Sequence, residues 1–178
     1  MKKNVKNISY IDGANLHNSV KANYKNFDYA KFRIYLKEKL SVEVAYIFLG
    51  MVQGNQSLYK YLSESGYVIV FKETITNKNK EIKGNCDADI VLNLVRDLYE
   101  NKYDGAILVS SDGDFSSTVE FLKSKNKFKL LISPYENCSF LLRKLNIKIT
   151  YIKDILTLVE KEKTPNEDGT SQGFLSLE

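Results

Sequence analysis

The sequence predicts a three-layer α/β/α sandwich built on a mostly parallel central sheet, and three observations carry that reading. Residues 106–109 (Ala-Ile-Leu-Val) are apolar throughout, without the alternation that a half-wet strand would show, as expected of a strand covered on both faces. Similar short runs alternate along the chain with amphipathic stretches, the pattern of β-α-β units with right-handed crossovers. Two of the runs also end in Asp-Gly turns, at Asp12-Gly13 and, after Ser110-Ser111, at Asp112-Gly113. Open α/β sheets hold their ligands at such strand ends.

Taken in order, residues 1–7 form a basic lead-in and residues 8–12 the first strand, which ends on Asp12 and runs into Gly13-Ala14-Asn15-Leu16. Residues 27–40 space Phe27, Ala30 and Ile34 as a helix with Asp28 near its start. The β-branched and aromatic run 42–49 is the second strand. Residues 56–65 form a helix closed by Gly66, and 67–71 the third strand. Residues 72–85 turn polar and lysine-rich, the signature of a solvated loop. A basic segment beside an acidic pocket would also suit a phosphate backbone, with Lys83 as its contact.

The clearest helix spans 87–99, with Val91, Leu94, Val95 and Leu98 on one face. Asp87 lies four residues before Val91, on that inward side and at the positive end of the helix dipole. Asp89 points roughly the opposite way. After the central strand come a helix at 116–124, a strand at 128–132 ending at Ser133-Pro134, a short helix at 139–144, an edge strand at 148–152 and a last helix at 154–161. From Thr164 the chain is polar, with Pro, Gly and Ser, and is expected to be disordered. One domain over 1–160 with a tail over 161–178 follows.

Composition narrows the chemistry. At 178 residues the chain is long enough for a full sheet and its covering helices. No apolar run approaches the roughly 18 residues of a membrane span, and the lysine-rich start lacks a signal-peptide core, which points to the cytoplasm and no membrane partner. Cys86 and Cys138 are isolated and read as free thiols. His17 is the single histidine, so a Ser-His triad or a histidine-ligated metal is a poor fit, and His17 itself reads as a surface residue. A net charge of +4 is compatible with a nucleic-acid partner without demanding one.

Carboxylate chemistry remains. Asp12, Asp87, Asp112 and Asp114 stand at three places that such a fold can bring together. Each taken alone reads more readily as a cap or turn residue, a role aspartate fills constantly. Together, hard oxygen ligands without His or Cys match Mg²⁺ or Mn²⁺. A cluster of this kind can act on a phosphodiester. Asn15 could orient the first aspartate or the phosphate, and Ser110 and Ser111 could do the same at the second turn. Tyr10, Tyr46 and Phe48 read as packing. Tyr135 could stack on a base, and the alternate lysines 123, 125, 127 and 129 read most simply as a solvated edge.

Three blocks of residues, Ile11-Asp12-Gly13-Ala14-Asn15-Leu16, Lys83-Gly84-Asn85-Cys86-Asp87-Ala88-Asp89 and Leu108-Val109-Ser110-Ser111-Asp112-Gly113-Asp114-Phe115, resemble the NYN family, the LabA-like branch of the PIN-fold nucleases, over residues 8–144. The resemblance implies a PIN-like sheet of five or six strands with order 3-2-1-4-5. It also implies an Mg²⁺/Mn²⁺ site on Asp12, Asp87, Asp112 and Asp114, Asn15 as polar partner, and metal-dependent hydrolysis of RNA. Asp89 could join that site from its outer shell, and the sequence does not exclude DNA as the substrate. Ser111 departs from a motif in which glycine is commoner. A homodimer is conceivable if one subunit has too little basic surface to hold a strand.

Rival readings fare less well. A haloacid-dehalogenase-like phosphatase needs a second aspartate two residues after the first, where this chain has Ala14. A receiver domain wants a lysine after the fifth strand, where Ser133-Pro134 stands. The alternative that survives is a non-catalytic PIN-fold module that binds RNA or a protein.

Overall fold

The computed structural model describes residues 6–52, 54–72, 75–76, 82–83 and 86–162. Along the chain the strands are β1 (Asn7–Asp12), β2 (Val42–Gly50), β3 (Val68–Lys72), β4 (Ile75–Thr76), β5 (Ile82–Lys83), β6 (Gly105–Val109), β7 (Phe128–Ser133) and β8 (Ile149–Tyr151). The helices are α1 (Gly13–Asn23), α2 (Tyr29–Leu40), α3 (Gln56–Glu64), α4 (Asp87–Tyr99), α5 (Ser116–Ser124), α6 (Phe140–Arg143) and α7 (Leu156–Val159), with 3₁₀ turns at Gly113–Phe115 and Ile152–Ile155.

Six strands form one sheet in the order β3-β2-β1-β6-β7-β8, and every pairing in it is parallel. Counted along the chain within this sheet the order is 3-2-1-4-5-6, the expected order with the short edge strand added at one side. The period-2 geometry of β6 explains its continuous apolar run. Ile107 and Val109 join a core with Leu16, Phe32 and Leu36 on one face. Ala106 and Leu108 join Ile90, Leu94 and Leu122 on the other. All five residues of β6 are buried.

Several elements depart from the sequence reading. Helix α1 forms where no apolar periodicity announces one, because only Leu16, Val20 and the small Gly13 and Ser19 face inward. It is started instead by its cap, Asp12 Oδ1, which accepts from the backbone N–H of Asn15 at 3.0 Å. The inward face of α4 is centred on Ile90, Leu94 and Asp97, with Val91 and Leu98 packed beside it. Within residues 72–85, Ile75–Thr76 and Ile82–Lys83 pair as a short antiparallel ladder instead of remaining loop. The β-branched Ile75, Thr76 and Ile82 favour extended backbone there. The last helix is two short turns, and the chain is fastened back by the N–H of Lys161 donating to the Asn26 carbonyl at 2.7 Å. Residues 163–178, most of the expected tail, lie outside the described residues.

The chain leaves β1 toward β2 and β3, then crosses to β6 and β7. The topological switch therefore falls between the C-terminal ends of β1 and β6, where such sheets open a crevice.

Candidate metal centre

The acids meet at that crevice. A cleft of about 360 Å³ is lined by Asp12, Asp87 and Asp112 together with Asn15, Asn18, Cys86 and Tyr135. One carboxylate oxygen from each of Asp87, Asp112 and Asp114 lies within 4.8 Å of the other two. Asp12 is buried (8 % exposed), while Asp87 and Asp112 are half-buried and Asp114 is exposed. The three segments named from sequence thus supply one wall each: the end of β1, the first residue of α4 and the turn after β6.

The cap reading and the cluster reading of these aspartates hold together. Asp12 Oδ1 caps α1, and Asp12 Oδ2 accepts from the Ser110 hydroxyl at 3.1 Å. Asp112 Oδ1 accepts from the N–H of Asp114 at 3.0 Å, closing the 3₁₀ turn. A capping bond uses one lone pair of one oxygen and leaves the carboxylate its remaining acceptor capacity. Ser110, expected only at the second turn, thus also bonds the first acid, and its Oγ accepts from the N–H of Asp112 at 3.2 Å, tying the two acidic turns to one hydroxyl.

Asn15 acts differently from expectation. Its backbone, not its side chain, serves Asp12, and its side-chain oxygen accepts from the Ser111 N–H at 3.1 Å. Ser111 is 8 % exposed and its φ is not positive, so the turn has no need of glycine at that position. Its hydroxyl pairs with that of Ser133 at 2.9 Å and accepts from the Tyr135 N–H at 3.1 Å, fixing the end of β7 beside the cleft. Asp89 turns aside: its Oδ2 pairs with Lys72 Nζ at 3.1 Å. The side chain of Lys83, like residues 84–85, lies outside the described residues. His17 is exposed, as expected.

Electrostatically the cleft is crowded with one sign of charge. Burial pushes the Asp12 carboxyl up from its ordinary 3.8; the bonds from Asn15 and Ser110 oppose this, and the charges of Asp87 and Asp112 add to it. Burial and the neighbouring acids, Asp12 first, likewise raise the Cys86 thiol. Like charges this close in a partly desolvated site can be offset by a bound cation. The donor set, carboxylate oxygens in a polar cleft, fits a hard divalent ion such as Mg²⁺ or Mn²⁺.

Sequence reasoning missed Asn18, Gly50 and Cys86 as lining residues of the cleft. Asn18 sits one turn after Ala14 on α1, so recognising that helix would have found it. Tyr135, raised from sequence as a contact for nucleic acid, does reach the cleft wall.

The profile of the NYN domain matches residues 8–145. The chain belongs to the NYN domain family. Membership places it among the PIN-like nuclease domains, and all four acids lie inside the matched span. Low amplitude and bright protein LabA of Synechococcus elongatus is 26 % identical over 166 residues, covering 88 % of each chain. A solved structure of a protein of unknown function from Vibrio parahaemolyticus superposes with a TM-score of 0.74 at 23 % identity, covering 86 % of this chain and 96 % of the other. That likeness carries the fold. Among the described residues no helix is long and apolar enough to cross a membrane.

Proposed function

We propose that this NYN domain is a metal-dependent ribonuclease that hydrolyses phosphodiester bonds of single-stranded RNA. The observation that carries the reading is the convergence of Asp87, Asp112 and Asp114 from two distant segments, with oxygens within 4.8 Å of one another, beside a buried Asp12 at the topological switch of the sheet. Asp12, Asp87, Asp112 and Asp114 would hold the ion, either Mg²⁺ or Mn²⁺. When bound, such an ion supplies stabilisation of the negative charge that builds on the phosphorus oxygens and acidifies the attacking water.

The chain's own residues supply orientation. Ser110 holds the Asp12 and Asp112 turns in one geometry, and Asn15 locks the first turn of α1 to the backbone at Ser111. Asn18, exposed on α1 and lining the cleft, offers amide hydrogens to a phosphate oxygen. The leaving 3′ oxygen takes its proton from solvent, since the cleft lining includes no histidine, lysine or arginine among the described residues. Both cysteines are free thiols, which suits the reducing cytoplasm.

The test is cleavage of a labelled single-stranded RNA, with a DNA of the same sequence beside it, in Mn²⁺, Mg²⁺ or EDTA. Metal-dependent cutting that Asp112→Asn lowers by at least about a hundredfold supports the reading, the scale expected when charge stabilisation at the reacting centre is lost. RNA retention without cutting, equal in wild type and Asp112→Asn, would replace it with the binding module.

A further inference from the structure

Next to the acidic cleft lies a second cavity of different chemistry. It occupies about 320 Å³ between α1, the end of β2, α3 and the start of α2. Its walls are Tyr29, Ile47, Leu49, Leu58 and Tyr59, and its mouth carries His17, Asn18 and Asn55. No lysine, arginine, aspartate or glutamate lines it among the described residues. It adjoins the acidic cleft, for Ala14, Asn18 and Gly50 line both.

The walls are preformed. The Tyr59 hydroxyl accepts from the Val52 N–H at 2.9 Å and approaches the carbonyls of Gly50 and Val52 at 3.4 and 3.3 Å. Its ring meets that of Phe71 in an edge contact, with centroids 4.8 Å apart. Tyr29 is held by Phe27 in an edge contact at 5.1 Å. Helix α1 closes against the other side, where Gly13 leaves so little room that an added Cβ would strike Leu49 and the Phe48 carbonyl.

We propose that this cavity binds the nucleobase of a nucleotide adjacent to the scissile phosphate, a proposal that rests on the ribonuclease reading for its place in the reaction. An uncharged cavity with aromatic and aliphatic walls rejects a phosphate and accepts a flat, neutral ring. The Asn55 amide and the His17 imidazole stand at the rim, where they can hydrogen-bond a base edge. Because the cavity shares its rim with the cleft, its occupant is covalently near whatever the acids hold. A base seated there positions the neighbouring phosphate over Asp12, Asp87 and Asp112, so the cavity sets the preferred base on one side of the cut.

Binding is tested without turnover. The four nucleoside 5′-monophosphates and inorganic phosphate are titrated separately into the full chain in EDTA, and backbone amide shifts are followed by NMR. The expected result is saturable shifts at residues 47–52 and 55–62 with at least one nucleotide and not with phosphate. Leu58→Trp, which fills the cavity, should weaken them at least about tenfold, the scale of one lost base stack. His17→Ala, an exposed substitution that leaves the core alone, should weaken them severalfold. Shifts confined to the acidic turns, no shifts at all, or shifts unchanged in both variants would overturn the proposal. A failure of the ribonuclease reading would show separately, as RNA left uncut in Mn²⁺ while these shifts persist.

Discussion

Asp12 carries the conflict on which the site is built. Its carboxyl is raised by burial and by Asp87 and Asp112, so the folded state holds a proton that the unfolded chain releases at lower pH. Stability therefore falls as pH climbs from about 3.8 toward the folded value, because the native state binds more protons through that window. Asp12→Asn should raise the thermal midpoint at pH 7 in EDTA while abolishing cleavage, as calorimetry and the RNA assay run on one preparation would show. A lowered midpoint would mean that the caps at Asn15 and Ser110 outweigh the charge. Asp12 and Asp112 were legible in the sequence because each follows an apolar strand and precedes glycine. The division of labour around them was not: Asn15 carries an amide that any turn could use, and only the fold shows its oxygen on the Ser111 N–H. Asp89, with the same side chain as its neighbour in the motif, is set apart by Lys72, a partner far away in sequence.

Helix α4 shows what pattern reading sees and what it overlooks. Its ends, its start at Asp87 and the burial of Leu94 follow from periodicity, but Asp97 lies on the same buried face with no exposure. There it accepts from the Tyr10 hydroxyl at 2.9 Å and pairs with Arg96 and Lys102 at 3.0 and 3.1 Å. A polar letter in an amphipathic run is read as solvent-facing, so this network was hidden. Asp97→Ala would strand the Tyr10 hydroxyl in the core and should cost about 1–3 kcal/mol, the range for leaving a buried hydrogen-bonding group without its partner. Urea unfolding measures this, and a loss below 1 kcal/mol would show that the network contributes little. Helix α1 was hidden for the opposite reason, having too few apolar residues to show a period. Its contact with β2 depends on Gly13, where a methyl group would meet Leu49 and the Phe48 carbonyl. Gly13→Ala should destabilise by about 1–3 kcal/mol as overpacking does, and it should lower cleavage further by displacing Asp12.

At the scale of the molecule, six parallel strands carry the switch point, and the acids from both halves of the chain face each other across it. Strand alternation made the sheet readable from sequence, since doubly covered strands such as β6 can have no polar face. The cavity beside β2 was not readable, because its walls come from α1, α2, α3 and β2 and no two of those elements share a motif. If the cluster is one metal centre, a bound ion stabilises the whole fold. At a hundredfold excess over its dissociation constant it adds about 2.7 kcal/mol, and each kcal/mol moves the midpoint by about 2–4 °C for a chain of this size. The gain should shrink as pH falls and protons compete for the carboxylates. Calorimetric titration of Mn²⁺ into the wild type and into Asp87→Asn, Asp112→Asn, Asp114→Asn and Asp89→Asn separates a metal centre from a set of capping acids. If these acids hold one ion, binding is saturable, each of the first three substitutions weakens it at least about tenfold, and Asp89→Asn largely spares it. Absence of binding, or binding indifferent to Asp87, Asp112 and Asp114, would contradict the metal centre.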